Sequence, residues 1–200
     1  MKTQKPNIPI NCFMQGCYND AFIKAIIHAK KTCFKYNKIG AVNSKKREKI
    51  ISKFFGRVGK NCIVTPPFWC DYGCFIEVGD NFYSNHNLVI LDGGGVKFGD
   101  NVFIAPNCAF TTAEHAIDPE MRKQGIEIAK PIVVGNNVWI GAGSIILAGA
   151  TIGDNTVIGA GSVVKGDIPP NVVAVGAPCK VKRQITENDK NSYTLYNGEY

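Results

Sequence analysis

His115 stands in the longest polar interruption of an otherwise regular sequence, residues 111–131. An imidazole side chain exchanges a proton near neutral pH, so it is the usual general base for activating a hydroxyl group. Glu114 precedes it and could orient the ring, although neighbours in sequence need not be in contact. Because functional side chains often lie on loops of a rigid scaffold, we interpret His115 as a candidate catalytic base. The alternative is a solvated loop histidine.

The scaffold that must position this loop is built from six-residue blocks between residues 134 and 164. An aliphatic residue opens every block: Val134, Ile140, Ile146, Ile152, Ile158 and Val164. The fifth position is small or β-branched: Val138, Ser144, Ala150, Thr156 and Ser162. A period of six fits neither a helix nor simple strand alternation, and it is typical of a parallel β-helix. Three blocks make one coil, with the aliphatic side chains inside and glycine or asparagine at the corners.

The same register begins less regularly at residue 58. Gly79 and Gly99 are 20 residues apart instead of 18, so Gly93–Gly95 is predicted to hold two extra residues at a corner. The interruption at residues 111–131 must loop out of the coil. The predicted fold class is therefore mainly β: a left-handed parallel β-helix of hexapeptide repeats with an N-terminal helical segment and a protruding loop. The predicted parts are a helical segment (1–57), the β-helix (58–185) and a C-terminal tail (186–200).

Two helices are predicted before the repeats. Residues 20–36 carry an apolar face at steps of three and four, formed by Phe22, Ile26, Ala29, Cys33 and Tyr36. Asp20 could cap the start of this helix. A second helix is predicted over residues 45–55, with a buried side formed by Ile50, Ile51, Phe54 and Phe55. We interpret His28, on the first helix, as structural.

Composition and charge narrow the function classes. The 200 residues are 45% hydrophobic and 20% charged, which indicates a globular protein. A formal net charge of +7 favours a polyanionic partner, either nucleic acid or a phosphate-bearing cofactor. No nucleic-acid motif is present, so no nucleic acid is expected. No stretch is long and apolar enough to cross a membrane. A membrane is therefore not expected as a partner.

The eight cysteines form no CxxC pair, and no signal peptide precedes them. They are therefore expected to be reduced thiols of a cytoplasmic protein. Zinc binding through Cys70 and Cys74 would lack partner ligands, so no metal is expected.

Several motifs are together more specific than the repeat: Asn81–Asn87, Gly99–Asn107, His115 in its charged loop, Gly135–Gly141, Ile152–Ser162 and Asp167–Ala174. In these motifs, over about residues 14–185, the chain resembles the galactoside and maltose O-acetyltransferases. The resemblance implies an enzyme that moves acetyl from acetyl-CoA directly to a sugar hydroxyl. It also implies a homotrimer whose active sites lie between neighbouring β-helices.

The resemblance assigns the catalytic and acceptor residues. His115 matches the general base, and Asn85 matches the residue that stabilises the tetrahedral oxyanion. The acceptor positions are Tyr83, Asp71, Asp92 and one of Asn19 or Asp20. The next acidic position of the family is Gly93 here, so the contacts with the acceptor differ.

The cofactor positions follow from the same resemblance. Trp139 matches the residue that flanks the pantetheine arm, and the coil positions whose backbone binds the arm are Gly141, Ala142 and Ala160. The basic positions near the CoA phosphates are Lys165, Lys180 and Arg183. Gly166, Ala142 and Lys180 stand where the family can carry Lys, Ser and Arg.

Three other functions are compatible with a β-helix. A γ-type carbonic anhydrase needs three histidine ligands for zinc, but of His28, His86 and His115 the first lies on a helix outside the repeats. A non-catalytic trimeric scaffold would not need His115, Asn85 and Trp139 together. The third is acetyl transfer to another acceptor: an antibiotic, an amino acid or a surface glycan.

Overall fold

The computed structural model describes residues 13–15, 20–40 and 42–190. Short parallel strands wind into a β-helix with three faces, and each face is one sheet. This architecture, with helices before it and a loop projecting from it, confirms the predicted fold class. The faces are named below for the side chains that they turn outwards.

The three faces share the same coils. The polar face consists of β2 (Arg57–Val58), β5 (Ile76–Val78), β8 (Val96–Phe98), β13 (Ile132–Val134), β16 (Thr151–Ile152) and β19 (Asp167–Ile168). The aromatic face consists of β3 (Ile63–Val64), β6 (Tyr83–Ser84), β9 (Phe103–Ile104), β14 (Trp139–Ile140), β17 (Val157–Ile158) and β20 (Val172–Val175). The aliphatic face consists of β4 (Phe68–Cys70), β7 (Leu88–Leu91), β10 (Ala109–Thr111), β15 (Ile145–Ile146) and β18 (Val163–Val164).

The interior is a continuous column of aliphatic and small side chains. All six residues that open the blocks, from Val134 to Val164, are buried, and the five fifth-position residues from Val138 to Ser162 have no exposed surface. Bulky side chains could not share this space, because protein interiors are close-packed. The six-residue period therefore reports which side chains point inwards.

The coils differ in length as the sequence indicates. Tyr83 pairs with Phe103, 20 residues on, and Trp139 pairs with Val157, 18 residues on. The additional residues of one long coil lie between β7 and β8, where Gly93–Gly95 turn the chain as predicted. Gly95 has a φ of +88°, and its N–H donates to the Asp92 carbonyl at 2.9 Å. A residue with a Cβ would be strained there.

The corner between the polar and aromatic faces carries a ladder of asparagines: Asn61, Asn81, Asn101, Asn137, Asn155 and Asn171. Each Nδ2 donates to Oδ1 of the next at 2.9 Å, and all six residues have a φ between 55° and 60°. Asparagine tolerates this left-handed conformation better than most residues with a Cβ. The repeated Gly-Asp-Asn and Gly-Asn-Asn motifs thus mark one corner of successive coils.

Helices α1 (Asp20–Asn37) and α2 (Ser44–Phe54) pack against the first coils. The buried face of α1 is Phe22, Ala25, Ala29, Cys33 and Tyr36. The prediction placed Ile26 on this face, but Ile26 is only half-buried and Ala25 is the buried residue. The predicted face was therefore wrong by one residue at this point. The Asn37 amide exchanges two hydrogen bonds with the backbone of Phe68, at 2.9 and 3.0 Å, and so binds the exposed edge of β4.

The interruption of the repeats is an ordered excursion. Strand β11 (Ala113–His115) is followed by the short helix α3 (Pro119–Lys123) and by β12 (Ile126–Ala129), which returns antiparallel to β11. Strand β1 (Phe13–Gln15) pairs on the other side of β12. The Asp118 carboxylate caps α3 by accepting from the Met121 N–H at 2.9 Å.

The C-terminal end of the β-helix is closed by β21 (Lys180–Gln184), which runs antiparallel to β20. Helix α4 (Glu187–Lys190) lies within the predicted tail. None of the helices in the described ranges is both long and apolar enough to span a bilayer.

Candidate active site

His115 ends β11, and its side chain is exposed on the excursion. The residue opposite it in the ladder is Glu127, and the distance between His115 Nδ1 and Glu127 Oε1 is 3.5 Å. A carboxylate beside Nδ1 favours the tautomer in which Nδ1 carries the hydrogen, and Nε2 is then the nitrogen that can accept a proton. The pair therefore has the arrangement of a general base and the group that orients it.

Glu127, and not Glu114, is the carboxylate beside His115. Successive side chains of a strand point to opposite faces of the sheet, whereas residues opposite each other on neighbouring strands share a face. Glu114 pairs with Ile128 in the same ladder. The idea that Glu114 orients the imidazole was wrong for this geometric reason, and sequence reasoning missed Glu127 because the hairpin register was not foreseen.

Asp71 follows β4 at the corner between the aliphatic and polar faces, the corner from which the excursion also leaves. It is half-buried, and burial raises the pKa of its carboxyl group. The charge of Lys30 opposes this rise, and that of Glu127 adds to it. Asp71, Glu127 and Lys30 are thus close enough to interact, and the structure brings Asp71 towards the His115 pair.

Asp92 has no exposed surface. Its carboxylate accepts hydrogen bonds from the backbone N–H groups of Asp71, Tyr72 and Phe75, at 3.1, 2.8 and 3.4 Å. Burial raises its pKa to about 7, although the N–H bonds from Tyr72 and Phe75 oppose the rise. Direct contact of Asp92 with an acceptor, as predicted, does not fit this geometry, because the side chain is enclosed. It shapes the turn that carries Asp71.

Asn85 lies after β6, at the corner between the aromatic and aliphatic faces. Its backbone N–H donates to the Ile104 carbonyl at 2.8 Å, and its Oδ1 accepts from the His86 N–H at 2.7 Å. The amide NH₂ group is the donor that this side chain can offer to a substrate. A neutral amide can stabilise developing negative charge without itself titrating.

Three of the predicted cofactor positions, Gly141, Ala142 and Ala160, lie at this same corner in later coils. Gly141 N–H donates to the Ile158 carbonyl, and Gly161 N–H donates to the Ala142 carbonyl, both at 2.8 Å. A Cβ on Gly141 would lie 2.5 Å from the backbone nitrogen of Ala160, so glycine is required for the coils to stack. With about 4.8 Å between neighbouring rungs, the corner runs straight for about 14 Å from Asn85 to Ala160.

Aromatic side chains line the face beside this corner. Trp139 is 53% exposed and is paired in register with Phe103, whose ring lies 6.4 Å from that of Tyr83. Tyr83, Phe103 and Trp139 therefore form one outward column on the aromatic face, next to the corner that carries Asn85.

The three predicted phosphate contacts are exposed in the final coil and on β21: Lys165, Lys180 and Arg183. The Arg183 guanidinium forms two bonds with the Asp189 carboxylate, at 2.6 and 2.8 Å, and this ion pair lowers the pKa of Asp189 to about 2. A phosphate that binds Arg183 must share or replace this carboxylate. The prediction did not foresee this competition.

Within one chain the candidate site is divided between two corners. His115, Glu127 and Asp71 lie at the aliphatic–polar corner, whereas Asn85 and the predicted pantetheine positions Gly141, Ala142 and Ala160 lie at the aromatic–aliphatic corner. The whole aliphatic face separates them. Asp20 is exposed at the start of α1, and Asn19 lies outside the described residues.

No group of three or more His, Cys, Asp or Glu side chains converges as metal ligands in the part of the chain that the structure describes. Cys70 Sγ lies 3.8 Å from Cys33 Sγ. A cytoplasmic location stays a prediction from the cysteines.

These features define a hexapeptide-repeat acyltransferase, and the family model described as bacterial transferase hexapeptide (six repeats) matches residues 131–166. The chain is 47% identical to galactoside O-acetyltransferase of Escherichia coli K12 over 167 residues, which cover 84% of this chain and 82% of that protein. A solved galactoside acetyltransferase in complex with coenzyme A superposes with a TM-score of 0.88 at 41% identity, covering 96% of this chain and 98% of that one.

A maltose O-acetyltransferase structure from Clostridium difficile 630 has a TM-score of 0.83 at 47% identity, with 84% and 90% coverage. The chain therefore belongs to the galactoside and maltose O-acetyltransferase family. It is an acetyl-CoA-dependent O-acetyltransferase of this kind.

Proposed function

We propose that the protein transfers acetyl from acetyl-CoA to a hydroxyl group of a sugar, with His115 as general base. The observation that carries this proposal is the His115–Glu127 pair at 3.5 Å on an exposed excursion, with the Glu127 charge acting on the half-buried carboxyl group of Asp71. A carboxylate and an exposed imidazole can each bond a sugar hydroxyl, and the imidazole can remove its proton.

The reaction is a direct transfer. Nε2 of His115 takes the hydroxyl proton while the oxygen attacks the thioester carbonyl, and the tetrahedral oxyanion accepts a hydrogen bond from the Asn85 amide. The carbon–sulfur bond then breaks, and the proton on His115 passes to the leaving thiolate. The products are an acetyl ester of the sugar and free coenzyme A.

The cofactor is proposed to lie along the aromatic–aliphatic corner. Its extended pantetheine arm fits a straight, open edge of small residues, because no atom lies within 4 Å of a Cβ built on Gly143 or Gly161. Trp139 would flank the arm, and the cationic side chains of the last coil would bind the phosphates. The thioester would then be placed at Asn85.

A homotrimer is proposed because one chain keeps the two halves of the site on different corners. Apart from Thr111 at the end of β10, the outward side chains of the aliphatic face are apolar: Trp69, Val89, Leu91, Ala109, Ile145 and Val163. Those of the polar face are mostly charged or hydrophilic: Arg57, Glu77, Lys97, Val133, Thr151 and Asp167. Closed threefold packing that covers the aliphatic face would bring His115 of one subunit towards Asn85 of the next.

Thiol release from acetyl-CoA, measured with a panel of galactosides, maltose and glucose, tests this function. Transfer to one sugar class is expected, and His115→Ala should lower kcat by about 10²–10⁴ without dissociating the trimer. A His115→Ala enzyme as active as the native one would exclude the mechanism. If the protein bound coenzyme A tightly but transferred acetyl to none of the sugars, the acceptor would have to be another class of hydroxyl compound.

A further inference from the structure

The positive charge of the chain is concentrated in residues 20–54, which contain α1 and α2. Ten of the 23 Lys and Arg residues and two of the 16 Asp and Glu residues lie in this segment. Its formal net charge is therefore +8, whereas the remaining residues of the chain sum to −1. The positive charge of the chain is thus concentrated on the helical pair that precedes the β-helix.

The lysines of this pair meet across an open cleft of about 640 Å³ between α1 and α2. We name it the lysine cleft, after the five lysines that line it: Lys31, Lys35, Lys46, Lys49 and Lys53. The lining side chains include no carboxylate among the described residues. Like charges on facing helices repel one another, so this arrangement costs free energy until an anion binds.

The floor of the cleft is apolar. Ile50 and Phe54 line it from α2, and the ring of His28 packs edge-on against Phe54 at 6.0 Å between centroids. Thr32 lies beside them and donates a hydrogen bond to the His28 carbonyl at 2.8 Å. A cationic rim around an apolar floor fits a ligand with anionic groups on an aromatic or aliphatic body. The volume is in the range of small-molecule sites, about 300–1,000 Å³.

We propose that the lysine cleft binds a soluble ligand that carries two or more phosphate groups on an apolar body, the chemistry of a nucleoside polyphosphate. Lysine ammonium groups bind phosphate as point charges with three donors each, and several on one rim can satisfy a chain of phosphates. The apolar floor then accepts the base or another flat group. This site is independent of the acetyl-transfer site, since it lies on the helices that precede the β-helix.

Isothermal titration calorimetry of the full chain, at about 150 mM salt to screen diffuse attraction, tests the proposal. The probes are ATP, inorganic tripolyphosphate and vesicles of phosphatidylcholine with phosphatidylserine. The cleft variant is Lys31→Gln/Lys49→Gln/Lys53→Gln. The matched control, Lys24→Gln/Lys45→Gln/Lys97→Gln, removes the same charge from exposed lysines outside the cleft.

ATP should bind the native protein and the control equally well and the cleft variant at least about tenfold more weakly, a loss of about 1.4 kcal/mol. Tripolyphosphate, which has no apolar body, should bind more weakly than ATP. If the two variants bound ATP equally weakly, the loss of affinity would come from the change in net charge alone, and the proposal would be overturned. Absence of ATP binding to the native protein, or binding to vesicles alone, would also overturn it. The cleft variant should retain native acetyl-transfer activity, and this result would show that the variant is folded.

Discussion

The side chains of His115 and Glu127 face each other because they are opposite in the β11–β12 ladder. They are twelve residues apart in sequence, and only the turn through α3 brings them together. Glu114, although adjacent to His115, alternates to the other side of the strand. At the scale of single residues, the register of the excursion decides which carboxylate can orient the imidazole.

Glu127→Gln should lower kcat because the amide cannot hold the imidazole as the carboxylate does. We expect a loss of about 10- to 100-fold, part of the 10²–10⁴ that a general base contributes. The KM for acetyl-CoA should be unchanged, since Glu127 is not among the residues proposed to bind the cofactor. Glu114→Gln is the matched control, and steady-state kinetics of the two variants are compared. If the Glu114 variant loses as much activity as the Glu127 variant, the assignment fails.

Asp92 makes stability depend on pH. Burial raises its pKa to about 7 in the folded chain, against about 3.9 for an unfolded aspartate. Between these values the folded state binds the additional proton, so stability is highest at the acidic end and falls as pH rises to 7. Each unit of the shift corresponds to about 1.4 kcal/mol.

Asp92→Asn should remove this decline. Urea denaturation at pH 5 and pH 8 should show the native protein losing more stability over this interval than the variant does. Asp167→Asn, which changes an exposed carboxylate on the polar face, is the control and should follow the native curve. Parallel curves for native protein and Asp92→Asn would contradict the prediction.

The asparagine ladder fixes one corner of the β-helix at the scale of the element. Asn137 accepts from Asn101 and donates to Asn155, both at 2.9 Å, while its own φ is +55°. Two requirements therefore act on this residue: an amide in the ladder and a backbone that tolerates the left-handed region. Either could explain why asparagine recurs there.

Substitutions at Asn137 separate the two requirements. Alanine and glycine both remove the same two amide hydrogen bonds, but only alanine retains a Cβ in the left-handed region. We expect Asn137→Gly to be less stable than the native protein and Asn137→Ala to be less stable again by about 1 kcal/mol. Denaturant unfolding measures both differences. An alanine variant as stable as the glycine variant would show that the ladder bonds alone matter.

At the scale of the whole molecule, the outward faces of the β-helix differ in the way that the proposed trimer requires. The outward side chains of the aliphatic face are apolar apart from Thr111, whereas those of the polar face are charged or hydrophilic at every rung except Val133. Contiguous exposed apolar surface is typical of an interaction site. Since the two halves of the proposed active site border the aliphatic face, assembly and catalysis should be lost together.

A charge placed on the aliphatic face tests this coupling. Ile145 and Val133 are both 39% exposed, on the aliphatic and polar faces respectively. Ile145→Glu should yield folded monomers without transferase activity, because a carboxylate buried in the interface is unpaired. Val133→Glu should remain trimeric and active. Light scattering after gel filtration gives the masses, and a trimeric, active Ile145→Glu variant would contradict the proposed assembly.

The sequence by itself determined the repeating part of the molecule. Every sixth residue from Val134 to Val164 is aliphatic and buried, because a coil of fixed length returns each position to the same side of the prism. The asparagine corners, the turn at Gly93–Gly95 and the departure of the excursion follow from the same period. Local spacing was sufficient there, since neighbouring coils share one geometry.

Only the tertiary structure decided the contacts that join different parts of the chain. The pairing of His115 with Glu127 depends on hairpin register, and the burial of Asp92 depends on how one coil stacks on the next. The cleft lysines lie on two helices. The period of each helix predicts its own apolar face, but it does not specify which lysines of the two helices will face each other. His115 and Asn85 belong to different corners because the excursion leaves after the aliphatic face. Such relations arise from packing in three dimensions, which the repeat of a linear sequence does not encode.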